Sequence, residues 1–172
     1  MKVLFGVDVG GTDIKLGAFD WKSQKLLKKW AIKTDLSNEG KQIIPDVAKE
    51  IQSYLCENTL SEADVYGIGM GIPGPVDKDG NVEVCVNLFW NNFNPAEEMR
   101  KFFPHAYIQA GNDANVAALG EFVQGAGRKY KTMMLITLGT GVGGGIILNG
   151  DIVIGASWLA GEIGHIALGS KD

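Results

Sequence analysis

Cysteine is scarce in this sequence: Cys56 and Cys85 are the only two among 172 residues, and they fall in separate predicted elements. Two isolated thiols make neither a disulfide framework nor a paired metal spacing, so a reducing, cytoplasmic setting is expected and both read as small buried or half-buried side chains. Long apolar runs are missing too. No stretch approaches the roughly 20 residues needed to span a bilayer. Met1–Asp8 enters an apolar run with no basic leader and no small-residue cleavage site, so no secretory signal is expected. Surplus positive charge is the third absence. The formal net charge is −4, whereas nucleic acid and acidic membrane surfaces demand an excess of Lys and Arg. Neither kind of partner is expected.

Two familiar phosphate motifs are also lacking. No G-x-x-x-x-G-K-[ST] occurs, which excludes a Walker-type loop. The segment after Gly10-Gly11-Thr12 reads as a strand rather than a helix, which argues against a dinucleotide fingerprint. What the chain does have is glycine. There are 24, clustered at residues 6–17, 67–74, 139–150 and 155–169. Clusters beside apolar runs mark backbone that turns tightly or approaches a ligand closely. The remainder, 45% hydrophobic and 21% charged, is ordinary for a globular chain with a real core.

The pattern along the chain is a β-meander followed by helix, strand, helix and strand, which predicts an α/β fold. Residues 2–9 alternate and stop at Gly10-Gly11; Ile14–Phe19 reads as the return strand and Lys25–Lys33 as a more exposed third. Ile43, Ile44, Val47, Ala48, Ile51, Tyr54 and Leu55 form one apolar stripe at helical spacing. Pro45 fits that helix only near its start. Val65–Gly71 reads as a buried strand, 95–103 as a short helix opened by Pro95, and His105–Ala110 as another strand. Asn112–Gln124 reads as a helix capped by Asn or Asp. Met133–Leu138 and Gly144–Leu148 form a second hairpin, followed by a long loop. The polar stretch at 125–131 suggests a boundary, giving units of 1–125 and 126–172.

The two hairpins are alike. Phe5–Lys15 and Leu135–Gly145 each run from an apolar strand through a Gly/Thr turn into a second apolar strand. Without a Cβ, glycine lets several N–H groups converge on an anion, and Thr adds a hydroxyl donor. Asp8 makes sense beside such a turn as an outer partner of phosphate-bound Mg²⁺. Paired phosphate hairpins are the hallmark of the actin-like ATPase architecture, in which ATP lies between two lobes.

Five motifs then resemble, in order and spacing, those of ROK-family sugar kinases. They are Asp8-Val9-Gly10-Gly11-Thr12-Asp13-Ile14-Lys15, Gly71–Asp77, Gly111–Asn115, Gly139–Gly145 and Gly161-Glu162-Ile163-Gly164-His165. The resemblance implies an actin-like (ribonuclease H-like) α/β fold, with the first lobe followed by the opening hairpin of the second. It also implies ATP and Mg²⁺ as cofactors and a small-molecule sugar as partner, with a homodimer when full length. Asp113 is implied as the catalytic base. Asp8, Gly10, Gly11, Thr12, Lys15, Gly139, Thr140 and Gly141 are implied on the nucleotide side, and Gly74, Asn87, Asn112, Glu162 and His165 on the sugar side. The Asn87-Leu88-Phe89-Trp90 neighbourhood is one residue shorter than the family's and lacks its proline.

A bare helix-start Asp is most often an N-cap, and a carboxylate there is stabilised as the anion. In phosphoryl transfer, orienting the nucleophile matters more than stripping its proton early. In the family the histidine matching His165 ligates a structural Zn²⁺ completed by downstream cysteines. No Cys follows Cys85, so that site is expected to close only in a longer parent. Two lobes of about 100–150 residues are needed for the cleft, and the chain is expected to be a fragment of an ATP:hexose kinase with little activity alone. The alternatives are the sugar-sensing part of a ROK-type repressor and a non-catalytic actin-like binding module.

Overall fold

Strand alternation in the first third of the chain sets up a sheet with one buried face. A computed structural model describes residues 1–139 and 141–166, and its contacts divide the chain into Met1–Gly111 and Asn112–Asp172. In the first unit, β1 (Val3–Val9), β2 (Asp13–Asp20) and β3 (Leu26–Lys33) form an antiparallel meander. β4 (Val65–Ile72) pairs with β1 in parallel. With β7 (Tyr107–Asn112) they make a five-stranded sheet of order β3-β2-β1-β4-β7.

Residues two apart share a face of a strand. Val3, Phe5, Val7 and Val9 are accordingly buried together with Ile14, Leu16, Ala18, Ile68 and Met70. Helix α1 (Ile43–Glu57) contributes all seven residues of its predicted stripe to that core. Pro45 is its third residue, where no intrahelical N–H bond is forfeited. Tyr54 meets Phe5 edge-on at 5.5 Å and stacks on Trp30 at 5.7 Å.

The 79–94 stretch holds a small antiparallel pair, β5 (Val82–Cys85) and β6 (Trp90–Phe93), joined by a 3₁₀ turn at Val86–Leu88. Asn94 caps α2 (Pro95–Arg100) by accepting the Glu97 N–H at 2.9 Å. Trp90 is buried and donates its indole N–H to the Gly40 carbonyl at 3.1 Å. Its ring belongs to the core. Cys85 is buried, its thiol donating to the Pro73 carbonyl at 3.1 Å, while Cys56 is exposed.

The second unit contains α3 (Asp113–Val123), β8 (Met133–Leu138), β9 (Val142–Leu148) and the short β10 (Asp151–Ile152), its sheet ordered β10-β9-β8. The units divide at Gly111/Asn112, ahead of the 125/126 boundary expected from polar composition. The reason is packing: α3 lies against β8 and β9, so the helix carrying Asp113 goes with the second hairpin. Among the described residues no helix is long and apolar enough to cross a membrane.

Candidate functional site

The first hairpin places Asp8 near the end of β1 directly opposite Lys15 on β2. The Lys15 ammonium lies 3.1 Å from the Asp8 carboxylate, both side chains more than half exposed. Gly10, Gly11 and Thr12 form the tip. The Gly10 N–H closes the turn by donating to the Asp13 carbonyl at 3.1 Å, so an anion at this tip is left with Gly11, Thr12 and Lys15. Thr34, just past β3, tethers the tip: its hydroxyl donates to the Gly10 carbonyl at 2.6 Å and its N–H to the Thr12 carbonyl at 3.0 Å. Sequence reading missed Thr34, because only the β2–β3 register, with Asp13 opposite Lys33, brings it there.

One sugar-side candidate, Asn87, comes close to this tip, and another, Gly74, packs on the strand just before Asn87. A methyl on Gly11 would stand 3.3 Å from the Asn87 carbonyl oxygen, and one on Gly74 would stand 3.8 Å from the Cys85 side chain. The β5–β6 pair, an element the sequence pattern did not reveal, thus sets its turn residue Asn87 against Gly11 and its strand residue Cys85 against Gly74. The turn after Pro75 is self-satisfied. Asp77 accepts N–H bonds from Asp79 and Asn81 at 2.8 Å each and the Asn81 side-chain amide at 2.8 Å. Partial burial raises the Asp77 pKa, but the Asn81 and Asp79 hydrogen bonds outweigh it and hold the carboxyl below its ordinary range.

In the second unit the start of α3 separates two roles that the sequence left joined. Asn112 is the N-cap, its side-chain oxygen accepting the Asn115 N–H at 3.0 Å. Asp113 is therefore the first helical residue, exposed, with its carboxylate accepting the Ala114 N–H at 2.7 Å. Asn112 is buried and its side-chain oxygen is engaged in the cap. Asn115, not singled out from sequence, is buried, and its side-chain oxygen has no hydrogen-bond partner among the described residues. A buried acceptor in that state favours a donor from outside the protein.

At the second tip, the Gly139 N–H donates to the Gly141 carbonyl at 2.9 Å, and a methyl on either glycine would meet nothing within 4 Å among the described residues. Thr140 lies outside the described residues. Gly143, Gly144 and Gly145 are not part of the tip: they lie within β9, paired with Thr137, Ile136 and Leu135. Glu162 is half-buried beside a 3₁₀ turn at Ile163–His165. The His165 imidazole is 86% exposed and stands 3.9 Å from the Glu162 carboxylate, too far for a hydrogen bond.

The donor sets bear on which groups fit. A hard cation with phosphates suits Asp8 beside a glycine tip with Lys15. A closed zinc site is another matter. Among the described residues no group of three or more His, Cys, Asp or Glu side chains converges, so His165 and Glu162 do not by themselves fit zinc, which takes four ligands.

Comparison with known proteins agrees with these motifs. The ROK family matches over residues 4–172. A glucokinase of Halalkalibacterium halodurans is 43% identical over 95% of this chain and 49% of its own length. An N-acetyl-D-glucosamine kinase of Yersinia pseudotuberculosis is 34% identical over 95% of this chain and 52% of its own. A crystal structure of a ROK family glucokinase from Streptomyces griseus in complex with glucose and AMPPNP superposes with a TM-score of 0.81 at 30% identity, covering 96% of this chain and 51% of that one. The chain spans about half the length of the curated relatives it matches.

Proposed function

The chain belongs to the ROK family, and from that premise we propose that it forms part of an ATP-dependent hexose kinase with glucose as its first substrate. The observation that carries the reading is the division of labour at α3: Asn112 supplies the N-cap, which puts Asp113 at the first helical position with its side chain exposed at the head of the helix. Asp113 accepts the proton of a sugar hydroxyl while that oxygen bonds to the γ-phosphorus. The bond to the bridging oxygen breaks, and ADP leaves with the electron pair. In a loose transition state the main service of such a carboxylate is to orient the hydroxyl. Mg²⁺ bound to the phosphates would neutralise their charge. On the protein side, Asp8 would face the metal's water shell, and Lys15, Gly11, Thr12 and the Gly139–Gly141 tip would face the phosphates. Gly74, Asn87, Asn112, Glu162 and His165 are the proposed sugar contacts. Glucose is put first because a glucokinase is 43% identical, while a second glucokinase and an N-acetylated-sugar kinase both stand at 34%.

Asp113→Asn tests the reading in a polypeptide of the relatives' length carrying these residues. The expected result is a fall in kcat of about 10²-fold or more, with sugar binding retained by calorimetry. Unchanged turnover would defeat the assignment of Asp113.

A further inference from the structure

Glycines 143–145 sit in a paired strand, past the turn, where no phosphate loop needs them. Their neighbours explain them. A methyl on Gly145 would stand 2.5 Å from the Ala118 Cβ and 2.7 Å from the Ala114 carbonyl oxygen, both on α3. One on Gly143 would stand 3.2 Å from the Ala114 Cβ and 2.7 Å from the Thr137 hydroxyl. Successive residues of a strand face opposite sides, and Gly144 meets a different neighbour: its methyl would fall 2.4 Å from the Gly161 carbonyl oxygen. Gly161 is equally constrained, with φ +91° and its own added methyl 2.4 Å from the Gly144 carbonyl oxygen. Ala114 adjoins Asp113, and Gly161 adjoins Glu162.

We propose that Gly143, Gly144 and Gly145 are positioning residues, seating the Asp113 helix on one face of β9 and the Glu162 turn on the other. The strand they occupy continues directly from the Gly139–Gly141 tip. The phosphate tip, the base and a sugar contact therefore hold fixed distances from one another through backbone-level packing that any side chain would force apart. This rests on the kinase reading of Asp113. It assigns the β9 glycines a task distinct from touching phosphate, and it separates them by face: Gly145 governs the chemical step and Gly144 governs sugar affinity.

The test compares Gly145→Ala and Gly144→Ala in a polypeptide of the relatives' length. Gly145→Ala is expected to lower kcat by about 10²-fold with little change in sugar KM, the scale of a displacement near 1 Å. Gly144→Ala is expected to raise sugar KM more than it lowers kcat. In an Asp113→Asn background, Gly145→Ala should bring no further loss, because its effect runs through that carboxylate. A readout independent of turnover is amide hydrogen exchange. With Gly145→Ala, the Ala114 and Asn115 amides should lose protection while the β8–β9 amides keep theirs. Additive losses in the double variant, or protection lost evenly across the unit, would overturn the proposal. Should Gly145→Ala fail to fold, Gly143→Ala takes its place, since its nearest neighbour, the Thr137 hydroxyl at 2.7 Å, can rotate away while the Ala114 Cβ at 3.2 Å still transmits the push to α3. If Asp113→Asn alone leaves turnover unchanged, the kinase reading fails first, and the exchange pattern still decides whether these glycines seat α3.

Discussion

At the first glycine hairpin the tip is held from outside: Thr34 binds the Gly10 and Thr12 backbone, and the Asn87 turn lies against Gly11. At the second, added methyls on Gly139 and Gly141 would touch none of the described residues, and the tight contacts sit several residues further on, within β9. The flanking strands differ as well. β1 and β2 bury Val3, Phe5, Val7, Val9, Ile14, Leu16 and Ala18, whereas β8 leaves Met134, Ile136 and Leu138 exposed. Similar composition therefore serves different ends. In the first hairpin glycine admits neighbouring backbone at the tip; in the second it admits a helix and a loop against the strand.

The largest expected contrast lies in those strands. Leu16 on β2 is fully buried, while Leu138, which ends β8, is 81% exposed. Leu16→Ala should cost about 2–5 kcal/mol through lost transfer energy and a cavity, read as a lower midpoint in urea unfolding. Leu138→Ala should change stability by no more than about 0.5 kcal/mol. Equal effects would mean that the second hairpin is buried in solution as deeply as the first.

The tips offer a smaller contrast. A methyl on Gly10 would lie 2.7 Å from the Asp13 carbonyl oxygen, a backbone atom that can move only by opening the turn. Gly10→Ala should cost about 1–3 kcal/mol. Gly139→Ala has open space and no left-handed φ to strain, so stability should hold or rise by up to about 1 kcal/mol as the unfolded chain loses freedom. If the Gly139 tip grips phosphate, the same substitution should weaken ATP binding by calorimetry while leaving the melting temperature intact.

Much of the first unit was legible because burial there follows simple periods. All seven residues of the α1 stripe are buried as a 3.6-residue period requires, and the β1 and β2 alternation reads directly as inside and outside. The β5–β6 pair was hidden because its strands have four residues each and its glycine-poor turn carries Phe89 at φ 57°. Thr34 could not be found from local pattern, since its partners lie more than twenty residues away and depend on register. At α3, Asn and Asp are near-equal caps, and only the folded chain shows that Asn112 takes the position. The β9 glycines mark the limit of composition. Close approach by a phosphate and close approach by a helix both ask for the absence of a Cβ.

Electrostatics gives the smallest difference between the hairpins. Asp8 and Lys15 face each other across the β1–β2 pair at 3.1 Å, with side-chain exposures of 54% and 60%. The residues flanking the second tip, Leu138 and Val142, are apolar. An exposed cross-strand pair gains little Coulomb energy in water and loses side-chain entropy, so Lys15→Met should shift stability by less than about 1 kcal/mol. That shift should shrink further near 1 M salt, where screening acts over about 3 Å. Nucleotide affinity should respond more strongly than stability, because the phosphates of ATP would carry several charges where Asp8 carries one. Titrating ATP against wild type and Lys15→Met at low and high salt separates the two. A loss of affinity confined to low salt fits a charge facing the phosphates, while an affinity unchanged at every salt concentration would reduce the pair to a surface ornament of the first hairpin.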